Sequence, residues 1–212
     1  DQIAALDPIA ATAIGVPGHD SEMTDFAPEG VAAHSALRRA TLAKLAAAEV
    51  TGDRDRVAKE AMEDVLSLRE ELVAAGDQYR LSGFRNATTT MRMSFDLMPR
   101  ATEEDWRNIA ARLALIPWGA ETFRVSLEEG LRIGAASARR QVAQAIKQSA
   151  TYAGADGSKS FFHGLLDAFD ASGIPSPGLR SDIERGADVA AAAYSDFSSY
   201  LSEKFMDRAV EK

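Results

Sequence analysis

Apolar residues recur at helical spacing along most of the chain, and this pattern restricts the fold more than any other feature of the sequence. The clearest run follows Thr51, where apolar side chains recur every three or four residues: Val57, Ala61, Val65, Leu68, Leu72, Ala75 and Tyr79. That spacing places side chains on one stripe of a helix. We therefore predict a long helix over residues 53–81, packed antiparallel to its neighbours.

Capping and helix-breaking residues predict the bounds of two further helices. Pro28 suits the first turn of an alanine-rich helix that ends near Val50. Thr102 and Asp105 form a capping-box pattern with Asp in place of the usual Glu. The apolar face of that helix follows at once: Trp106, Ile109, Leu113 and Ile116. We expect Pro117 to end or kink this helix, because proline lacks the N–H of a helical residue.

The second half of the sequence carries three more helical patterns. One begins with Phe123, is irregular around Gly134 and resumes through Ile146. A short pattern covers residues 161–169, and the last covers residues 183–205. The last pattern meets no stop signal, so we expect its helix to reach the final residue. An end of this kind suggests a piece of a larger protein.

No segment alternates apolar and polar residues in the way of a strand. The sequence therefore predicts an all-α fold, an irregular multi-helix bundle with long antiparallel helices. We expect a single helical domain over residues 1–212 that is the N-terminal portion of a longer protein. Two stretches, residues 15–27 and 82–90, are not clearly helical, and a functional site is expected there because loops carry function more often than their scaffold does.

Charge and composition exclude several classes of partner. The chain has 24 Lys plus Arg against 32 Asp plus Glu, a net charge of −8, so its surface repels nucleic acid and anionic lipid. No apolar run approaches the roughly 18–20 residues that span a bilayer. Cysteine is absent, which excludes thiol chemistry. We expect a soluble protein with neither a nucleic-acid nor a membrane partner.

The three histidines, His19, His34 and His163, lack the spacing that places two zinc ligands on one helical face. Around His19 lie three acidic residues that could offer oxygen ligands to a calcium-like ion: Asp20, Glu22 and Asp25. Their spacing matches no EF-hand, so turn capping is the favoured interpretation. His34 is interpreted as an ordinary residue of a helix surface. Residues 154–160 have glycines like a phosphate loop but lack its Gly-Lys pair, and a turn with a capping serine is predicted instead.

Two charged sets occur at helical spacing. The basic set, Arg132, Arg139, Arg140 and Lys147, is interpreted first as a solvated or internally paired face and second as a site for an anionic group or a partner's carboxylates. The acidic set follows Thr51 and is interpreted as a solvated face: Glu60, Glu63, Asp64, Glu70 and Glu71. Neither set forms a catalytic constellation by spacing alone.

Several segments together resemble a known bacterial family. The first segment, residues 6–30, reads LDPIAATAIGVPGHDSEMTDFAPEG. Four more segments follow it in the order that they have in that family: FDLMP at 95–99, EEDW at 103–106, ARL at 111–113 and ARRQV at 138–142. This set resembles the N-terminal part of bacterial domain-of-unknown-function family 885, whose members look like helical zinc carboxypeptidases.

The resemblance implies a His-Glu zinc motif in the later half of a longer protein, and this chain lacks that motif. We therefore expect no cofactor, catalytic residue or metal ligand here, with zinc held by the full-length protein. The resemblance further suggests helices that wall a substrate groove, lined by Phe95, Asp96, Arg139 and Arg140. These residues do not determine the compartment, for which we expect the bacterial cytoplasm.

Two functions are compatible with these observations. The first is the N-terminal helical portion of a zinc-dependent peptidase-like hydrolase, inactive by itself, with the missing C-terminal half and a peptide substrate as partners. The alternative is a self-standing helical protein-interaction module that docks a partner through the basic set and the alanine-rich last helix.

Overall fold

The structure, a computed structural model, describes residues 2–155 and 157–211. It confirms the all-α fold, since those residues form helices and one isolated bridge between Ala138 and Val210, with no strand among them. The α-helices are α1 (Gln2–Leu6), α2 (Pro8–Ala13), α3 (Pro28–Ala47), α4 (Asp53–Ala74), α5 (Ala87–Leu97), α6 (Glu103–Arg132), α7 (Arg139–Ala153), α8 (Phe161–Ser172) and α9 (Pro177–Tyr200). Among the described helices, none combines the length and apolar content that crossing a membrane requires.

Helices α6 and α9 form the centre of the bundle. Leu113 of α6 packs against Gly186 of α9 so closely that a Cβ at Gly186 would lie 2.8 Å from the Leu113 Cβ. Further along both helices, the rings of Phe123 and Phe197 stack with centroids 5.5 Å apart. Residue numbers therefore increase in the same direction along both helices, so α6 and α9 run parallel. The antiparallel packing predicted from the sequence is found in α3 against α4 and in α7 and α8 against α9.

The capping box at the start of α6 is confirmed, because Thr102 and Asp105 each bond the other's backbone N–H. Helix α6 nevertheless continues through Pro117 to Arg132, so of the two expected effects the end of the helix is wrong, and a kink stays a prediction. An internal proline costs a helix about 3 kcal/mol. Apolar residues continue on both sides of it, with Ile116 and Ala120 buried, and their packing offsets that cost.

The expectation that the last helix reaches the final residue is also wrong for the described residues. Helix α9 passes into a π-helical turn at Leu201–Phe205 and a 3₁₀ turn at Met206–Arg208, and ends there. The chain then turns back along the start of α7, where the Val210 N–H donates to the Ser137 carbonyl at 2.9 Å. Lys212, the final residue, lies outside the described part.

Helix α4 ends earlier than the predicted residue 81. Gly76 adopts a left-handed conformation, with φ of 69°, directly after the helix, and a 3₁₀ turn at Asp77–Tyr79 follows. A glycine in this conformation is a common helix terminator because other residues adopt it at a cost. No residue of α4 is buried, although its apolar stripe is the most regular in the sequence.

The two stretches predicted to be non-helical are only partly so. Residues 14–27 are free of helix, as expected. Helix α5 begins inside the second stretch, where the Asn86 side chain caps it by accepting from the Thr89 N–H at 2.9 Å. Helices α1 and α2 were not predicted, since each is too short to show a period. Their one sequence signal is Asp7, the cap of α2, directly before Pro8.

Candidate functional site

The predicted groove-lining residues lie in two separate places. Phe95 is fully buried, and its ring meets the edge of Phe162 with centroids 6.3 Å apart. Asp96 is exposed on the same helix and pairs with Arg92. Arg139 and Arg140 begin α7 beside the end of the chain, where Arg139 Nε lies 3.3 Å from Glu211 Oε1. A shared role for these four side chains in a groove stays a prediction.

The basic set does not form one continuous stripe. Arg132 ends α6 and makes two hydrogen bonds of 2.6 Å to Glu129. The other three members lie on α7, beyond the left-handed Gly134. Arg132 and Arg139 thus fit the internally paired interpretation, while Arg140 and Lys147 are exposed.

The residues present do not fit a zinc site. His19 Nδ1 lies 2.8 Å from Glu22 Oε2, whereas His163 Nε2 lies 2.9 Å from Asp188 Oδ1 in another part of the bundle. Within residues 2–155 and 157–211, no three His, Cys, Asp or Glu side chains come together as metal ligands would. Zinc sites use three or four protein ligands, so no step through zinc is assigned to this chain.

The acidic residues near His19 serve the loop itself. Asp20 accepts from the Thr12 hydroxyl at 2.6 Å, and Asp25 accepts from the Ala27 N–H at 2.9 Å. These contacts agree with the predicted turn capping. The turn predicted at residues 154–160 also has its capping serine, since Ser160 accepts from the Phe162 N–H; Asp156 in that turn lies outside the described residues.

A buried arginine holds residues 14–27 against the bundle. Arg112 of α6 is fully buried and donates to the Glu22 carbonyl at 3.0 Å, the His19 carbonyl at 2.8 Å and the Thr12 hydroxyl at 2.9 Å. Burial lowers the pKa of Arg112, and the charges of Asp20 and Glu22 partly oppose that shift. No carboxylate within the described residues forms a direct ion pair with it. Sequence reasoning missed this residue, although it interrupts an apolar face between Ile109 and Leu113.

A wide groove of about 1060 Å³ lies between α1 and α2 on one side and the α3–α4 hairpin on the other. Its lining is mainly apolar: Ile3, Ala10, Val31, Leu37, Met62, Val65, Leu66 and Val73. Polar side chains stand at its edges: Gln2, Asp7, His34, Arg38, Thr41, Arg69 and Gln78. None of these residues was predicted as a site residue, because they become neighbours only when α1 folds beside the hairpin.

A smaller pocket of about 380 Å³ continues the groove and shares Asp7, Val31, His34 and Gln78 with it. It is lined by Phe26 and Asn86, among others. Both stretches that the sequence marked as non-helical therefore contribute to this pocket. His34, interpreted from the sequence as an ordinary surface residue, is half-buried and lines both cavities.

Gln78 stands where the two cavities meet. Its Nε2 donates to the Val73 carbonyl at 3.3 Å, while its Oε1 is buried and has no hydrogen-bond partner among the described residues. Buried polar atoms are usually paired, because a lone one loses its hydrogen bonds to water. Gln78 thus brings a buried acceptor without a partner to the point where the two cavities meet.

Polar contacts fix α4 on α3 and so set the width of the groove. Glu70 accepts from Arg38 Nε at 2.6 Å and from the Ser35 hydroxyl, and Arg39 Nη1 lies 3.7 Å away. Burial alone would raise the pKa of Glu70, but these hydrogen bonds and charges outweigh it and lower the pKa. The interpretation of Glu70 as part of a solvated face is therefore wrong, since its side chain is only 19% exposed.

Two comparisons with known proteins complete the description. A family model described as a bacterial protein of unknown function (DUF885) matches residues 8–212. No curated protein matches the chain. The matched range contains the segments that carry the resemblance, from Pro8 onward, and the family description states no activity.

Proposed function

The chain belongs to the family described as bacterial protein of unknown function (DUF885), and we propose that it is a non-catalytic helical portion of a peptidase-like hydrolase. In this proposal the groove between α1, α2 and the α3–α4 hairpin forms one wall of a peptide-binding channel. The link to zinc peptidases comes from the sequence resemblance. The assignment to this groove comes from its geometry.

One observation carries the proposal: a mainly apolar groove of about 1060 Å³ is lined by Gln78, whose buried Oε1 has no hydrogen-bond partner among the described residues. Ligand sites in proteins commonly measure about 300–1,000 Å³ and combine apolar walls with few polar groups that fix orientation. Apolar side chains of a peptide would lie on Leu37 and Leu66. A peptide N–H would donate to Gln78.

The charged edge of the groove suits the carboxylate of a peptide. Arg38 is already engaged by Glu70 at 2.6 Å. Arg69 is exposed, lines the groove and has no ion pair within the described part of the chain. In the proposal Arg69 pairs with a ligand carboxylate, and this chain binds and orients a peptide without taking part in a chemical step.

The alternative function is a protein-interaction module. The sequence suggested that such a module would dock through the basic set or the alanine-rich last helix, but a different surface, on α4, suits docking better. In the alanine-rich last helix, Ala187 and Ala190 are fully buried, and two members of the basic set are paired internally. Helix α4 instead exposes large apolar side chains along its length. A role in docking would therefore use α4.

Titration of the isotope-labelled chain with N-acetylated tetrapeptides that carry Leu or Phe and a free C-terminal carboxylate, followed by NMR, tests the proposal. We expect amide shifts that cluster at Val31, Leu37, Leu66 and Gln78. Met62→Glu, at a groove residue that is 47% exposed, should weaken binding by about tenfold, a change of ~1.4 kcal/mol. The matched control Val125→Glu, at a residue of α6 that is 43% exposed, should bind normally.

The same samples also show whether the chain cleaves the peptides. We expect every tetrapeptide to remain intact by mass spectrometry, with and without added zinc. Cleavage that scales with the amount of chain would refute the non-catalytic assignment. An absence of clustered shifts would refute the groove.

A further inference from the structure

We propose that the outer face of α4 docks an amphipathic helix that carries apolar residues along one side and Lys or Arg on the flank beside them. The face consists of the residues on α4 that point away from α3, here called the outer stripe: Val57, Ala61, Val65, Leu68 and Leu72. This inference does not rest on the groove proposal, because Val65, at one edge of the outer stripe, is its one member that also lines the groove.

The outer stripe is exposed to an unusual degree for its composition. Val57, Val65 and Leu68 are 56%, 53% and 56% exposed, and Leu72 is 44% exposed. An amphipathic helix in a globular protein ordinarily turns its apolar stripe toward a core. Helix α4 instead turns a largely polar side toward α3, where Glu70 bonds Arg38. Its most regular apolar surface is left without a partner in the described residues.

The geometry of the outer stripe suits a helix. At about 100° per residue, its five side chains fall within about 80° of arc, and at ~1.5 Å rise per residue they extend along about 22 Å of the helix. Spacings of three and four residues are those by which one helix packs against another along a seam. A partner helix of several turns could contact the whole stripe.

Charge beside the outer stripe selects the partner. Asp53, Glu60, Asp64 and Glu71 all lie on one flank of it and are exposed, and we call them the acidic flank. Arg56 lies 3.3 Å from both Asp53 and Glu60 and neutralises part of that charge. Asp64 and Glu71 have no ion pair within the described residues. A helix with basic residues on the facing flank would satisfy them, and an acidic helix would be repelled.

A second copy of this chain fits less well. Two α4 helices docked antiparallel about a two-fold axis bring the same flank of each together, so the acidic flank would meet another acidic flank. Like charges in direct contact across an interface are unfavourable. The charge pattern therefore disfavours an antiparallel pair of copies, and a different chain with a basic flank matches it better.

The test uses two designed peptides of about 20 residues, long enough to cover the outer stripe at 1.5 Å per residue. Both carry Leu at alternating spacings of three and four residues, and one has Lys on the flanking positions where the other has Glu. Their affinity for the full chain is measured by fluorescence anisotropy at low and at high salt. We expect the Lys peptide to bind about tenfold more tightly than the Glu peptide at low salt, with a smaller ratio at high salt.

Variants of the chain place this binding on α4. Leu68→Glu should weaken binding of the Lys peptide by about tenfold, whereas Val125→Glu, at an apolar position of α6 that is 43% exposed, should not. The double variant Asp64→Lys and Glu71→Lys should reverse the preference and bind the Glu peptide better. Circular dichroism of each variant confirms that the helices are retained.

Three outcomes would overturn the proposal. The first is equal binding of both peptides, and the second is binding that Leu68→Glu leaves unchanged. The third is a stable dimer of the chain, seen by light scattering, that Leu68→Glu abolishes and Val125→Glu preserves, since a second copy would then be the occupant.

Discussion

Arg38 Nε of α3 donates to Glu70 Oε1 of α4 at 2.6 Å, and this contact, together with the Ser35 hydroxyl, joins the two helices in place of a buried apolar seam. Helix α4 buries no residue, although its apolar stripe is long and regular. The hairpin therefore depends on polar contacts for its geometry. The groove between the hairpin and α1 depends on the same contacts.

Replacing Glu70 should loosen the hairpin without unfolding the bundle. In Glu70→Gln the charge-assisted bond to Arg38 is lost, which we expect to destabilise the closed hairpin by about 1–2 kcal/mol. Hydrogen exchange of α4 amides should accelerate correspondingly, while α6 and α9 keep their protection. Glu71→Gln, at the exposed neighbouring residue, is the control. Unchanged exchange in α4 would contradict the role given to Glu70.

Acid should act on the same contact. The pKa of Glu70 is lowered from its ordinary value of 4.5 in the folded chain, so the carboxylate contributes stability fully above about pH 4.5 and loses it as the pH falls through the folded pKa. Hairpin opening, followed by hydrogen exchange at a series of pH values, should therefore rise on acidification. The rise should be smaller in Glu70→Gln, and an identical rise in both proteins would contradict the assignment.

Gln78 should contribute to peptide affinity through its unpaired Oε1. We expect Gln78→Leu to weaken tetrapeptide binding by about 0.5–1.5 kcal/mol, the range of a single neutral hydrogen bond. A tetrapeptide methylated at the donating backbone nitrogen should lose affinity for the native chain and be insensitive to the substitution. Calorimetric titration of both peptides measures the effect. Equal losses from the substitution for both peptides would show that Gln78 acts only by packing.

Arg112 should be the anchor of residues 14–27. Arg112→Met removes three donated hydrogen bonds, to the Glu22 carbonyl, the His19 carbonyl and the Thr12 hydroxyl, and with them the direct polar link between α6 and this segment. We expect a loss of about 2–4 kcal/mol in the free energy of unfolding, measured by urea denaturation. Limited proteolysis should become faster within residues 14–27. Normal stability together with normal proteolysis would contradict the anchoring role.

Replacing the interior proline of α6 should stabilise the fold, whereas replacing Arg112 should destabilise it. Pro117→Ala restores a backbone N–H inside a helix and removes a steric clash, so we expect an increase in stability of about 1–3 kcal/mol. Thermal unfolding measures the change. A decrease would mean that the packing of α6 on α9 requires the proline.

Local signals predicted the parts of this fold that local interactions decide. The capping box of Thr102 and Asp105 involves neighbours in sequence and was read correctly. The stripe of α9, including Ile183 and Tyr194, was predicted to share one face and is fully buried. Spacing alone identifies such residues because helical geometry fixes which side chains lie on the same side.

Sequence could not predict what each face meets. The stripe with Val65 and Leu68 has the same spacing as that of α9, yet it is exposed, because the polar contacts of Glu70 turn the other side of α4 toward α3. The groove joins Ile3 and Met62, which are distant in sequence and meet only in the folded chain. Arginine is usually found on protein surfaces, and Arg112 is buried because it bonds the carbonyls of His19 and Glu22, which are far from it in sequence.

Photocrosslinking locates a bound peptide on the chain and so tests whether peptides bind in the groove. A tetrapeptide carrying a benzophenone side chain is irradiated with the purified chain, and the crosslinked residues are located by mass spectrometry. We predict crosslinks in two clusters, on α3 around Val31 and Leu37 and on α4 around Met62 and Leu66, both lost when unlabelled tetrapeptide is in excess. Crosslinks that instead gather at Arg139 and Arg140 on α7, or that resist competition, would contradict the account.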